Sequence, residues 1–284
     1  MVDFTIVTPS YNYGHYISEC LESVAGQEGV TVEHLVMDAD STDDTAEVVG
    51  RFPHASFFRE PDKGMSDGIN KGFRKAQGNW VMWLNADDRL RPGALREVKE
   101  FAEDHPEADV VFGCWNFVDA EGDFLRRMTL FPFRKAMLEN HLCYIASTST
   151  FFRRATTVGE GYLLNERFKC VMDGEYLCRL AAEGKRFDYL PRVLADFRMH
   201  GQNTSQKHLA KTDVDGILAL QLQLAERKAI HRMYGIRLFN DEMLNSVVEG
   251  FLHHVFRIQK GLLRWIHRNS CREVVPVAEP KGAD

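Results

Sequence analysis

Phe4-Thr5-Ile6-Val7-Thr8, followed at once by Pro9-Ser10-Tyr11-Asn12, is a run of apolar and β-branched residues closed by turn chemistry. A run this short reads as a buried strand. Working outward, Ile17, Cys20, Leu21 and Val24 recur at helical spacing, which predicts an amphipathic helix. The alternation then continues. Residues 32–37 read as a second strand, ending in Asp38-Ala39-Asp40-Ser41-Thr42-Asp43-Asp44, a polar loop able to cap a helix over 45–52. Residues 55–59 are a third strand and 67–76 a helix. Residues 80–84 are a fourth strand, closed by Asn85-Ala86-Asp87-Asp88, and Pro92 is placed to open the next helix at its first turn. This order predicts an α/β fold: a Rossmann-like, mostly parallel sheet with helices on both faces. Ligands in such sheets sit beyond the carboxyl ends of the strands. The polar clusters fall there after strands one, two and four.

The second half is less regular. Residues 110–118, the turn Asp119-Ala120-Glu121-Gly122 and residues 124–128 read as a hairpin. Residues 147–152 and 193–199 read as strands and 171–182 as a helix. From about Gln206 the chain reads as helical, with Val214, Ile217, Leu218 and Leu222 marking one helix and Val248, Leu252, Val255 and Leu262 another. The stretch 271–284, rich in Pro, Gly and charge, is expected to fray.

With 284 residues and 44% apolar content the chain can bury a sizeable core. A formal net charge of −6 argues against general nucleic-acid binding, which needs a concentrated basic surface. The six cysteines, at 20, 114, 143, 170, 178 and 271, form no Cys-x-x-Cys pair, so reduced thiols in a cytoplasmic protein are expected. Neither a signal peptide nor an apolar run long enough to span a membrane is expected.

Five constellations offer chemistry. Asn85-Ala86-Asp87-Asp88 puts hard carboxylates at a strand's carboxyl end, suited to Mg²⁺ or Mn²⁺; a helix cap explains these residues equally well. Asp38 and Asp40 can accept hydrogen bonds from a ribose or base, or simply form a turn. In Glu60-Pro61-Asp62-Lys63-Gly64, Lys63 and Gly64 can approach a diphosphate, with Asp67 and Asn70 following; an ordinary solvated loop is the alternative. Asp173, beside Val171-Met172, is a carboxylate among apolar neighbours, fit for a general base or for a helix cap. His200 ends a strand before a polar loop and can ligate a metal or contact a phosphate, although a lone His is more often a surface or core residue.

In this order, residues 4–205 resemble the family 2 glycosyltransferases, inverting enzymes of the GT-A fold. The resemblance rests on 7–12, 36–43, 60–64 with Asp67, Asn70 and Gly72, 83–88, Asp173 with Arg179-Leu180, and 197–201. It implies that Pro9, Tyr11 and Asp38 hold the base and ribose of a nucleotide sugar, with uracil the expected base. Asp40, Lys63, Gly64, Asp67, Asn70, Asn85 and Ala86 complete the implied donor site. Asp87 matches the second acid of the family's Asp-x-Asp motif for Mn²⁺ or Mg²⁺; Asn85 stands where the first is usual, with Asp88 as support and His200 as a further metal contact. Asp173 matches the catalytic base. The implied division is a catalytic domain over 1–205 (donor half 1–115, acceptor half 116–205), a helical extension over 206–270 and a flexible tail over 271–284.

The residue types suit that chemistry. A divalent cation offsets charge on a departing nucleoside diphosphate, and the oxocarbenium-like sugar centre is attacked from the opposite face while a carboxylate removes the acceptor's proton. Trp115, Phe117 and Tyr144 are candidates to stack on an acceptor sugar, although a core role suits each as well. In 251–268, Arg257, Lys260, Arg264 and Arg268 lie opposite an apolar side, a pattern that fits an anionic membrane surface at the inner face, a homodimer, or packing on the chain's own body. Two other classes stay open: a sugar nucleotidyltransferase, whose Gly-rich basic N-terminal loop is missing here, and a non-catalytic sugar-nucleotide-binding protein, which has no need of an acid at 173. Dinucleotide oxidoreduction is disfavoured, since no Gly-x-Gly-x-x-Gly follows the first strand.

Overall fold

A computed structural model describes residues 1–141, 144–201, 203, 214–235 and 242–274. The expected helix onset at Gln206, Cys143 and the tail over 275–284 lie outside the described residues. The first half alternates as the pattern predicts: β1 (Phe4–Ser10), α1 (Gly14–Ala25), β2 (Val32–Asp38), α2 (Thr45–Val49), β3 (Ala55–Arg59), α3 (Met65–Lys75), β4 (Trp80–Trp83), β5 (Arg89–Leu90) and α4 (Ala94–Asp104). Then come β6 (Val110–Val118), β7 (Phe124–Met128), α5 (Lys135–His141), β8 (Thr150–Arg153), α6 (Met172–Ala182), β9 (Phe187–Arg198), α7 (Val214–Tyr234), α8 (Glu242–His267) and β10 (Arg272–Glu273).

The strands form one sheet in the order β10-β9-β6-β8-β4-β1-β2-β3, with β5 paired to β9 and β7 to β6. β1 is flanked by β2 and β4, both parallel to it. β8 runs antiparallel to both β4 and β6. The chain therefore adopts a mixed α/β fold around a mostly parallel sheet.

Side-chain alternation of period two assigns the faces. Val7, Val81 and Trp83 enter one core with Ile69 and Phe73 of α3 and Tyr176 and Leu180 of α6. Phe4, Ile6, Trp80 and Met82 enter the opposite core with Cys20 and Val24 of α1 and Leu95 and Val98 of α4. Gly72 lets α3 approach β1 closely, because a Cβ there would penetrate Val7.

Several sequence expectations are corrected. The second helix stops at Val49, three residues short of the expected Phe52, with Gly50 as its cap. Pro92 does not open α4: Gly93 behind it is left-handed (φ 76°), so the helix starts at Ala94. The segment over 147–149 is a 3-10 turn that precedes β8. The thiol expectation fails for two of the six cysteines, because Cys114 of β6 is joined to Cys271. Their separation of 157 residues matches no local motif. The start of the expected loose tail is likewise ordered: Arg272 and Glu273 extend the sheet beside β9.

Candidate functional site

A cavity of 590 Å³ opens at the carboxyl ends of the central strands. Its wall takes Pro9, Ser10 and Tyr11 from the end of β1, Ala39 after β2, Pro61, Asp62 and Gly64 after β3, and Asn85, Ala86 and Asp87 after β4. Asn203 joins Asp87 on this wall, and Ser147, Lys169, Cys170, Met172, Asp173 and Phe197 complete the lining. The parallel order brings the first four loops together; β9 and α6 close the other side.

On the donor-like side two loops are stitched to each other. Asp38, 1% exposed, accepts from Ser41 N (2.8 Å) and Ser41 Oγ (2.5 Å). Ser41 Oγ in turn accepts from Asn12 N at 2.8 Å, and Asn12 Oδ1 accepts from Thr42 N at 2.9 Å. Asn12 and Asp40 are left-handed (φ 57° and 65°), which Asn and Asp tolerate better than other side chains. Asp38 thus shapes the loop from beneath, and Asp40 is exposed and paired with Arg59 at 2.8 Å. Neither carboxylate is in the cavity wall. Lys63 is exposed outside it, Asp67 accepts from Lys63 N at 3.0 Å, and Asn70 is buried between Leu164 N and O. Of the third cluster only Gly64, Pro61 and Asp62 reach the cavity. The ammonium that does line it is Lys169, whose Nζ donates to the Lys63 carbonyl at 2.8 Å.

The two acids after β4 diverge. Asp88, 1% exposed, accepts from Arg198 N (3.0 Å), Thr148 Oγ1 (2.8 Å) and Asn85 Nδ2 (3.1 Å). Burial, then the charge of Asp87, pushes its carboxyl well above the usual carboxylate range. Asp87 faces the cavity. Its Oδ2 lies 2.8 Å from His200 Nε2 and accepts from Asn203 Nδ2 at 3.1 Å. His200 is itself bracketed by the rings of Tyr16 (4.9 Å) and Tyr13 (6.1 Å). Arg198, fully buried, holds this corner: it donates to the Asp87 carbonyl at 2.9 Å and to Glu19 at 2.6 Å.

Among the described residues no cluster of three or more Asp, Glu, His and Cys side chains is arranged to hold a divalent cation. Asp87 Oδ2 and His200 Nε2 are adjacent, however, and Asn85 Oδ1 is a buried oxygen with no hydrogen-bond partner. A carboxylate, an imidazole and an orphaned amide oxygen fit Mn²⁺ or Mg²⁺ of the kind whose shell substrate phosphates and water complete.

Across the cavity, Asp173 occupies the first turn of α6, half-buried, with Gly174 N donating to its Oδ1 at 2.8 Å. Burial raises its carboxyl pKa; the Gly174 amide and the charge of Arg227 oppose that without cancelling it. Trp83, at the end of β4, stacks on Phe152 (5.6 Å, 2° between planes) and meets Tyr176 of α6 edge-on at 6.2 Å. These contacts tie the Asp87 strand to the Asp173 helix. Trp115 and Tyr144 are core, 6% and 3% exposed, and Phe117 lies beneath Arg126 at 3.9 Å. Between Trp115 and Arg154 it is Ser147 that lines the cavity. Lys169, Ser147 and Asn203 carried no sequence signal, since each reaches the wall by a tertiary contact; Arg198 stood within a matched segment but its burial was not readable.

The profile of Glycosyl transferase family 2 matches residues 5–158, and the chain belongs to that family. Chondroitin synthase of Pasteurella multocida (strain Pm70) is 29% identical over 216 residues, covering 72% of this chain and 21% of that protein. The chain thus spans about a fifth of that synthase's length. A PGL/p-HBAD biosynthesis glycosyltransferase of Mycobacterium bovis is 27% identical over 239 residues, covering 80% of this chain and 86% of that protein. In fold, the chain is similar to S. aureus TarS 1–349 in complex with UDP-GlcNAc (TM-score 0.61, 18% identity, 82% of this chain and 74% of that one). It is also similar to the mannosyltransferase PcManGT of Pyrobaculum calidifontis in complex with GDP-Man and Mn²⁺ (TM-score 0.53, 17% identity, 93% and 84%).

Proposed function

We propose that this chain is a metal-dependent, inverting glycosyltransferase that moves a sugar from a nucleotide-diphosphate donor, UDP-linked, to an acceptor hydroxyl in polysaccharide or glycoconjugate synthesis. The observation that carries this reading is one cavity with Asp87 and Asn85 on one wall and Asp173 on another. Residues 1–115 supply the donor side and 116–205 the acceptor side, with α7 and α8 forming a helical extension.

Pro9 and Tyr11 offer surfaces for the base, and Asp38 fixes their loop by holding Ser41. Asp87 and His200, with Asn85 Oδ1, would hold the cation, which when bound would supply Lewis-acid neutralisation of the leaving diphosphate. Lys169 adds a second positive charge to the cavity lining. The acceptor oxygen bonds to the sugar's anomeric carbon as that carbon's bond to the phosphate oxygen breaks. Asp173 takes the hydroxyl proton, and the nucleoside diphosphate departs with the electron pair. A carboxylate whose burial raises its pKa is a stronger base than one in water. One displacement inverts the anomeric centre and needs no covalent nucleophile.

The test is a panel of UDP- and GDP-sugars with Mn²⁺, read as nucleoside diphosphate release with and without glycan acceptors. Release with some donor is expected, slow without acceptor. Pyrophosphate formation from a nucleoside triphosphate and a sugar phosphate would favour the nucleotidyltransferase; binding without release would favour a non-catalytic binder.

The reading includes a peripheral membrane contact at the cytoplasmic face. No helix among the described residues is long and apolar enough to cross a membrane. On α8, Ile258, Leu262, Trp265 and Ile266 are 54–62% exposed along one stripe. Arg257, Arg264 and Arg268 flank it, and no acidic residue occurs between Glu249 and Glu273. Burial, and then the neighbouring Arg126, lowers the Arg264 pKa. A basic, apolar surface on an acidic protein suits anionic lipid. Flotation with anionic vesicles is expected to carry the protein up; no flotation together with a dimer by light scattering would assign the stripe to a second copy instead.

A further inference from the structure

α7 belongs to the part of the chain that reads as an extension, yet its inner face grips the wall of the cavity. Gln223, Glu226, Ile230 and Tyr234 follow one another at helical spacing, and the first three are 6–7% exposed. The Glu226 carboxylate accepts three backbone N–H groups: Lys169 N on Oε1 at 2.7 Å, and Cys170 N and Val171 N on Oε2 at 2.8 and 3.1 Å. Those amides lead directly into α6, whose second residue is Asp173. The opening N–H groups of a helix have no intrahelical partner, and no side chain at the N-cap position of α6 supplies one. Glu226 therefore steadies, from a distant element, the run of amides on which α6 begins, and as an ionised acceptor it makes strong bonds.

Neighbouring contacts extend the grip. Tyr234 Oη donates to Glu175 Oε1 at 3.1 Å in the first turn of α6. Arg227 and Asp173 share a second cavity of 180 Å³ behind the first. On the other side of the same loop, Lys169 Nζ reaches the Lys63 carbonyl next to Gly64, at the donor wall. The backbone over 169–171 is thus pinned from behind by Glu226, while its own side chain and the helix after it reach both walls of the main cavity.

We propose that Glu226 is a positioning residue: by fixing the amides of 169–171 it sets Lys169 and Asp173 at their stations opposite Asp87. This rests on the reading of Asp173 as the base. A displacement of about 1 Å in such a group costs on the order of 10²-fold in rate, so loss of the carboxylate should act on turnover much more than on donor binding.

The experiment compares Glu226→Ala, Glu226→Gln and Asp173→Asn in the full chain with a donor and acceptor identified in the panel. Rates are normalised to donor-binding sites counted by titration, and amide exchange is followed across 165–175. Expected for Glu226→Ala is kcat down by about 10²-fold with donor KM within about threefold of native, and faster exchange at 169–171. Glu226→Gln keeps an acceptor oxygen and is expected to recover to within about tenfold of native. Native kcat per binding site in Glu226→Ala overturns the proposal, because any loss of total activity is then only loss of folded protein. If Glu226→Ala does not fold, Glu226→Met, which fills similar volume without an acceptor oxygen, decides, and native kcat per binding site with native exchange at 169–171 overturns the proposal. Native turnover in Asp173→Asn sinks the base assignment on its own, a different outcome from an inert Glu226.

Discussion

Asp173→Asn is expected to move activity and stability in opposite directions. In the folded chain, burial raises the Asp173 pKa, and the Gly174 amide and Arg227 recover only part of that cost. A group whose folded pKa lies above its unfolded one contributes stability that is complete below the unfolded value, about 3.9 for Asp. That stability is lost as pH rises through the folded value, each tenfold displacement of the proton equilibrium being worth about 1.4 kcal/mol. At neutral pH the burial of this carboxyl group is therefore a burden on the fold. Asn carries no charge to desolvate, and its Oδ1 can still accept from Gly174 N, now 2.8 Å from Asp173 Oδ1. The variant should be more stable than native near pH 8, and the gap should close toward pH 3 as the native acid protonates. Catalysis goes the other way: removing a general base costs about 10²- to 10⁴-fold, or roughly 3–5 kcal/mol of transition-state stabilisation. Urea unfolding across that pH range reads the first effect; acceptor-dependent nucleoside diphosphate release, with donor affinity by calorimetry, reads the second. Turnover within about threefold of native would refute the base role. A variant less stable than native by the same amount at every pH would refute the burial argument.

Other outcomes follow from the same geometry. Asp87→Ala removes the carboxylate that meets His200 and Asn203; the thermal upshift produced by UDP with Mn²⁺ should vanish while UDP alone changes little, and equal donor affinity of the native protein with and without EDTA would remove the metal role. Gly72→Ala forces a methyl into Val7 and should cost about 1–3 kcal/mol, seen as a Tm lower by several degrees; an unchanged Tm would mean α3 can shift away from β1. Ile258→Glu with Trp265→Glu should abolish flotation with anionic vesicles and leave release from a water-soluble acceptor intact; undiminished flotation would move the contact away from α8.

The first half of the chain was legible because its signals are local. Strands of four to seven residues, helical spacing in α1, and polar loops after β1, β2 and β4 all depend on residues a few positions apart. What stayed hidden was set by contacts distant in sequence. Lys63 and Lys169 are both lysines in charged loops, and only the fold shows that the second lines the cavity while the first contributes its carbonyl. Glu226 is one acid among ordinary helix residues until the amides of 169–171 are set against it. Cys114 and Cys271 gave no spacing to read. The late start of α4 was missed for a local reason: Gly93, left-handed, governs that end more strongly than Pro92 does.

The cluster Asn85-Ala86-Asp87-Asp88 shows why a motif alone does not assign roles. By residue type Asp87 and Asp88 are interchangeable carboxylates, and only the family resemblance singles out Asp87 for the metal with Asp88 as support. In the fold, Asp88 is enclosed by Arg198 N, Thr148 and the Asn85 amide, and all three bonds hold loops of this chain together. Asp87 is left facing the cavity with His200. Because Asn85 gives its NH₂ to Asp88, its oxygen is turned away from that bond and stays unpartnered. The inner acid thus orients the amide, and the amide presents the second oxygen of the proposed cation site. An aspartate at 85 would have no donor to offer Asp88 and would bring a third negative charge into a corner where burial and Asp87 already push Asp88 toward its protonated form. Asparagine at 85 is therefore a consistent solution for this corner: it gives a hydrogen bond to the loop beneath it and leaves a buried oxygen unpartnered for the proposed cation, with no added charge.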